Sequence, residues 1–301
     1  MRLIPFFLAI AWGLNWPAVK IALSAFPPFT LRMVGLGSGG LLLLLLALGQ
    51  RKPLLPPRQS WGGVVIGGIL TVAVFNMSTA FAQLNTSTSR AAVLTFTMPM
   101  MSAVLSWLVV GEKLDRRKVA ALVLGLIGVV ILAWPVLSAA LTAHDERAYK
   151  GLIFPLVAAL GWAAGNVYLK RWPVSGDRIG MAAWQLLIGA TCAAIGAVAF
   201  GERFPDQAIS GSVALALFHH IVPGTAIAYW LWFILSERVS ATVAALTTLM
   251  VPVVGVLSAM ALVGDRPSAT DWCGFLLILS GAGLIVLGPQ LMPAAPRDSK
   301  R

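Results

Sequence analysis

The sequence predicts an all-α integral membrane protein: ten transmembrane helices arranged as two inverted five-helix repeats. Three observations predict it. Apolar runs of membrane length follow one another along the chain, with hydrophobic residues at 58% and charged residues at only 11%. Lys and Arg gather in alternate gaps between those runs. Five runs precede the central polar gap and five follow it, so a second copy of an odd-numbered unit enters the bilayer upside down. Ten spans of about 20 residues use up the 301 residues and leave no room for a soluble domain.

The predicted spans are 4–22, 29–49, 61–83, 89–110, 119–137, 151–170, 179–200, 211–235, 239–263 and 271–288. Helices are required, because a lipid-exposed backbone must satisfy its own hydrogen bonds. Residues 1–137 then form the first repeat, 138–150 an external link, 151–288 the second repeat and 289–301 a cytoplasmic tail.

Helix 1 puts Trp12, Asn15, Trp16 and Val19 on one face by i, i+3, i+4, i+7 spacing, with Pro17 permitting a bend. The Trp, Asn and Lys residues of this segment are unlike a cleaved signal. Gly35-x3-Gly39 in helix 2 and Gly63-x3-Gly67 in helix 3 signal close helix contacts, which ten helices supply internally, so a monomer is expected. Helix 3 also aligns Asn76, Thr79 and Gln83. Helix 4 carries a stripe of Thr88, Thr95, Pro99, Ser102 and Ser106, with Ala91 and Ala92 between. Helix 5 is polar only at its ends and should stand outside as scaffolding, with helix 10.

Helix 6 repeats the face of helix 1 with Trp162, Gly165, Asn166 and Leu169, and Pro155 interrupts it. Helix 7 offers the pair Trp184-Gln185. Helix 8 carries Tyr229, Trp230 and Phe233, with His219-His220 upstream. Helix 9 presents Ala241, Ala245, Thr248, Pro252 and Gly255 in register with helix 4. Pro99 and Pro252 free backbone carbonyls and are hinge candidates. Cys192 and Cys273 lie in apolar segments without Cys or His partners, so no metal site is expected.

Placing the N-terminus in the cytoplasm leaves only Lys20, Arg32, Arg90, Arg147, Lys150, Arg203 and Arg266 outside, and the other fifteen of the 22 basic residues inside. Both termini are therefore expected in the cytoplasm. The same distribution explains the net charge of +11 without nucleic acid, since no basic face of any length exists. Lys20, Arg32 and Lys170 lie near helix ends and are expected to snorkel to the interface.

The repeat can be read directly. At an offset of 153, Ser87/Ser240, Ala91/Ala244, Ala92/Ala245, Thr95/Thr248, Pro99/Pro252, Val110/Val263 and Gly111/Gly264 are identical. Glu112-Lys113 is mirrored by Asp265-Arg266, and Gly128 by Gly281. At an offset of 150, Trp12-x7-Lys20 is matched by Trp162-x7-Lys170.

With its paired five-helix repeats, Trp12-Gly13-x-Asn15 in helix 1, the Gly-acid-base turns after helices 4 and 9, and Gly125-x2-Gly128 and Gly281-x-Gly283, the chain resembles the drug/metabolite transporter superfamily of EamA type. The resemblance covers essentially the whole chain and identifies the fold better than the substrate. It implies a multi-pass bacterial inner-membrane exporter working by alternating access. Among bacterial members the chain looks most like amino-acid and metabolite exporters, the YddG-like aromatic branch among them. Small multidrug transporters of this superfamily bind cations through a Glu in their first helix, and this chain has no acid there.

All eleven acidic residues fall in links, at span ends or in the tail, which disfavours a proton-coupled exporter of drugs or organic cations. The expected substrate site is formed by Trp12, Asn15, Trp16, Asn76, Thr79, Thr95, Pro99, Trp162, Asn166, Trp184, Gln185, His219, Tyr229, Trp230 and Thr248. Aromatic faces with amides and hydroxyls suit a small molecule with a flat ring: aromatic amino acids first, moved by facilitated diffusion or exchange. A transporter of nucleotide sugars or phosphosugars is a weaker alternative. No cofactor is implied: Walker and HExxH motifs are absent, and Leu36 stands where a Gly-x-Ser-Gly nucleophile at Ser38 needs its first Gly, so an enzyme is disfavoured.

Overall fold

The computed structural model describes residues 4–143, 146–232 and 241–291. Ten helical segments run through them: α1 (Ile4–Ala22), α2 (Pro28–Gly49), α3 (Arg58–Asn85), α4 (Thr88–Val110), α5 (Arg116–Ala143), α6 (Glu146–Arg171), α7 (Arg178–Ala199), α8 (Gly211–Trp232), α9 (Ala241–Leu262) and α10 (Ala269–Leu291). No strand occurs among the described residues. All but α9 contain a full membrane-length apolar stretch within the described residues, and α9 contributes the apolar segment Thr248–Leu262.

Helix 5 exceeds its expected span. The link expected at 138–150 is largely helix, because α5 continues to Ala143 and α6 begins at Glu146. Past Pro135 the sequence holds no Gly or Pro to stop a helix, so it outlasts the apolar run. The segment expected as a tail is helical as far as Leu291, and the rest lies outside the described residues.

The helix ends follow local chemistry. Asp177 caps α7 by accepting from the N–H groups of Ile179 and Gly180 at 3.0 and 3.1 Å. Pro28 opens α2, where a missing N–H costs nothing. Gly111 and Gly264, at φ 77° and 73°, end α4 and follow α9. They stand 153 residues apart, so the same left-handed turn closes both copies.

The two halves are related by an inverting pseudo-twofold axis. Three helices pack on their counterparts five places later: α2 on α7, α5 on α10 and α4 on α9. In α2 and α7, a side chain on Gly196 would strike Phe29, one on Gly37 would meet Ala190, and one on Gly40 would meet Ala183. In α5 and α10, Gly281 faces the Ala121 carbonyl while Gly128 faces Gly274 and Ile278. Pairs off the axis recur in kind: α1 packs on α9 and α8, as α6 packs on α4 and α3. Even the wide π turns recur, at Gly68–Val74 in α3 and Val222–Ile227 in α8.

Polar contacts between the halves sit at both ends. Lys52, beyond the end of α2, pairs with Asp177 at 3.1 Å. At the opposite end, Glu202, beyond the end of α7, accepts from the Thr30 N–H at 2.7 Å and its hydroxyl at 2.9 Å. Asp265 accepts from the Ser89 N–H at 2.7 Å, and Arg90 pairs with Asp271 at 2.6 Å. Glu112 is held by Lys170 and by Lys118, and these hydrogen bonds keep its carboxyl below the usual carboxylate range.

Candidate functional site

A cavity of about 410 Å³ lies between the halves, lined by α1–α4, α6 and α8–α10. That volume is in the range of small-molecule sites. Aromatic rings line it in two clusters. Trp12 meets Tyr229 edge-on at 6.2 Å and Trp232 at 5.6 Å, while Phe75 and Trp162 lie 5.0 Å apart across α3 and α6. Trp16 also lines the cavity and packs against Ala82, Ala91 and Ala92.

Of the residues expected to bind substrate, Trp12, Asn15, Trp16, Asn76, Thr79, Pro99, Trp162, Asn166, Tyr229 and Thr248 line this cavity. The face of helix 1 points inward because its opposite side packs on α9: a side chain at Gly13 would overlap Val254. Gly165 lets α6 approach the π turn of α3, where its side chain would overlap Thr71. The π turn itself is satisfied from side chains, with the Thr71 hydroxyl donating to the Gly67 carbonyl at 2.7 Å and Asn76 to that of Val72 at 2.9 Å.

Five expected residues lie elsewhere. Thr95 is fully buried and donates to the Ala91 carbonyl at 2.8 Å. Trp184 donates to the Leu54 carbonyl at 2.8 Å and packs edge-on against Trp61, so its polar group is spent on the α2–α3 connection. Gln185 lies over Gly67, wedging α7 against α3. His219 bonds the Ala11 carbonyl at 3.1 Å, and Trp230 packs against the core shared by α2, α3 and α7. Phe233 and the side chains of Ala241 and Ala245 lie outside the described residues.

The hinge candidates differ from each other. α4 is broken into Thr88–Thr95 and Met98–Val110, with Pro99 in the first turn of the second piece. Pro252 sits inside the unbroken α9. A proline is harmless in a first turn and leaves an interior carbonyl unpaired, so equivalent residues occupy unequal backbones.

Four polar residues outside the expected set also line the cavity: Arg32, Gln83, Ser102 and Thr225. Arg32 does not snorkel. It is only 2% exposed; its Nη2 donates to the Thr79 hydroxyl at 3.0 Å and its Nη1 stands 3.5 Å from His220 Nε2. His220, behind the cavity, donates from Nδ1 to Asn15 Oδ1 at 2.9 Å. That ring fits only because Gly35 has no side chain, which is the use of the glycine spacing in helix 2. The available signal was a charge several residues inside an apolar span with no acid in reach on its own helix. Among the described residues no group of three or more His, Cys, Asp or Glu is placed to hold a metal ion.

Comparison with known proteins agrees with this architecture. The model of the EamA-like transporter family matches twice, at residues 3–134 and 149–287. The chain is 29% identical to the uncharacterized inner membrane transporter YedA of Escherichia coli (strain K12), over 97% of this chain and 92% of that one. It is 27% identical to the uncharacterized transporter YvbV of Bacillus subtilis (strain 168), over 96% and 92%. It is 26% identical to a probable amino-acid metabolite efflux pump of Salmonella typhimurium (strain LT2), over 93% of each. A solved crystal structure, 23% identical, superposes with a TM-score of 0.66 over 96% of this chain and 98% of that one, a likeness of fold.

Proposed function

This chain belongs to the EamA-like transporter family, a multi-pass membrane transporter, and on that premise we propose that it exports amino acids, aromatic ones first, by alternating access. One observation carries the reading: the 410 Å³ cavity between inverted halves is lined by indole and phenyl rings together with amides and hydroxyls. Such a lining accepts a ring by stacking and a polar head by hydrogen bonding.

The relative named as a probable amino-acid metabolite efflux pump supports the substrate class. The positive-inside distribution of Lys and Arg supports a bacterial inner-membrane setting with both termini in the cytoplasm. Among the described residues no carboxylate lines the cavity, which supports facilitated diffusion or exchange over proton-coupled cation export. Unequal backbones at Pro99 and Pro252 support switching: inverted halves in different conformations exchange them when the cavity opens to the other side.

The test is flux of labelled tryptophan, phenylalanine, leucine, a nucleobase and an organic cation in proteoliposomes, with and without a pH gradient. Aromatic amino acids should move fastest and independently of the gradient. Gradient-dependent movement of the cation alone would refute the reading.

A further inference from the structure

We propose that Arg32 and Gln83 form a head-group reader for a zwitterion, Arg32 holding a carboxylate and Gln83 accepting from an ammonium. The proposal deepens the transport reading and rests on it for the cavity being a substrate site.

Arg32 is a buried cation without a counter-ion. No carboxylate among the described residues comes within ion-pairing distance of it. Its neighbours are neutral, a Thr79 hydroxyl and a His220 ring whose Nδ1 is engaged with Asn15, and its Nε has no hydrogen-bond partner. A guanidinium cannot shed its proton to relieve the burial. Such a group is costly unless something outside the chain completes it, and a carboxylate matches its planar fork.

Gln83 supplies the opposite need. It is 1% exposed, lines the same cavity, and its Oε1 accepts no hydrogen bond. It follows Thr79, the residue that Arg32 touches, by one helical turn of α3, so the two side chains share a face about 6 Å apart along the axis. An orphan donor held at Thr79 and an orphan acceptor one turn further along the same helix face suit the two ends of an α-amino acid head. The aromatic pairs Trp12–Tyr229 and Phe75–Trp162 are then left for the side chain.

The pair is single. In the second half, Ala182 occupies the position of Arg32 at the offset of 150, and Gln185 against Gly67 replaces the Gly35–His220 contact. One anion anchor in a pseudo-symmetric cavity selects one carboxylate and gives the substrate a direction. Asn15 and His220 are positioning residues that hold the face toward Arg32.

The experiment measures thermal stabilisation of the purified full chain in detergent by matched ligands: tryptophan, tryptophanamide, indole-3-propionate and tryptamine, leucine with leucinamide, and phenyl phosphate. Tryptophan and leucine should stabilise wild type at concentrations at least ~10-fold lower than their amides. Arg32→Gln should abolish that preference, Arg32→Lys should keep part of it, and Gln83→Leu should weaken tryptophan while leaving indole-3-propionate unchanged. Equal binding of acid and amide by wild type, no stabilisation by any carboxylate, or an Arg32→Gln loss shared equally by all ligands would overturn the proposal. Tighter binding of phenyl phosphate would assign the anchor to phosphate esters and overturn it too. Head-group selectivity that depends on Arg32 and Gln83, without amino-acid flux in proteoliposomes, would leave this pair standing and remove the export reading.

Discussion

Trp16 shows how one side chain serves both packing and the cavity. It is 8% exposed, packs on Ala82, Ala91 and Ala92, and still reaches the cavity. Trp16→Ala should slow flux of aromatic amino acids roughly 2- to 10-fold more than that of leucine, the size of a stacking contribution. Using the ratio of two substrates removes any loss of folded protein; equal losses would deny Trp16 a stacking role. At this scale the sequence was readable where helical spacing set the orientation, as in Trp12, Asn15 and Trp16. It was unreadable at Trp184 and Gln185, because an indole N–H and an amide serve a nearby carbonyl or a helix crossing as well as they serve a ligand. Arg32 was misplaced because nearness to a helix end suggests snorkelling, while only the neighbouring α3 and α8 show where the guanidinium goes.

Among whole helices, α5 and α10 illustrate packing by backbone contact. A side chain on Gly128 would come within 2.9 Å of the Gly274 carbonyl and 3.1 Å of the Ile278 nitrogen, and backbone cannot swing aside. Gly128→Val should therefore force these helices apart and lower the thermal stability of the purified protein by about 1–3 kcal/mol. Gly62, with open space around it, provides the control, and Gly62→Val should change little by this mechanism. Equal stability of the two variants would contradict the α5–α10 contact. The number and order of the helices were legible because apolar length and small-residue spacing are local properties; α10, expected outside as scaffolding, reaches the cavity through Val286. The break in α4 was only half legible: proline pointed to a bend in both copies, and the chain breaks in one and stays continuous in the other. Identical residues cannot reveal that difference, because the same proline sits in a first turn in one copy and in a helix interior in the other.

Across the whole molecule, inversion ties the observations together. Lys52 reaches Asp177 at one end and Glu202 reaches Thr30 at the other, so the α2–α7 pair is fastened by opposite charges at mirrored positions. Glu112 and Asp265, equivalent at the offset of 153, likewise bridge to the other half, at Lys170 and Ser89. On the proposed alternating-access reading, a cavity between such halves opens to either side by rocking of one half against the other. The most direct measurement is the sidedness of two single-cysteine variants, Lys113→Cys and Arg266→Cys, made after replacing Cys192 and Cys273. Membrane-impermeant maleimide applied to intact cells should label Arg266→Cys alone, and Lys113→Cys should become reactive only after the membrane is opened. Labelling of both from the same side would contradict the inverted architecture and the transport route built on it.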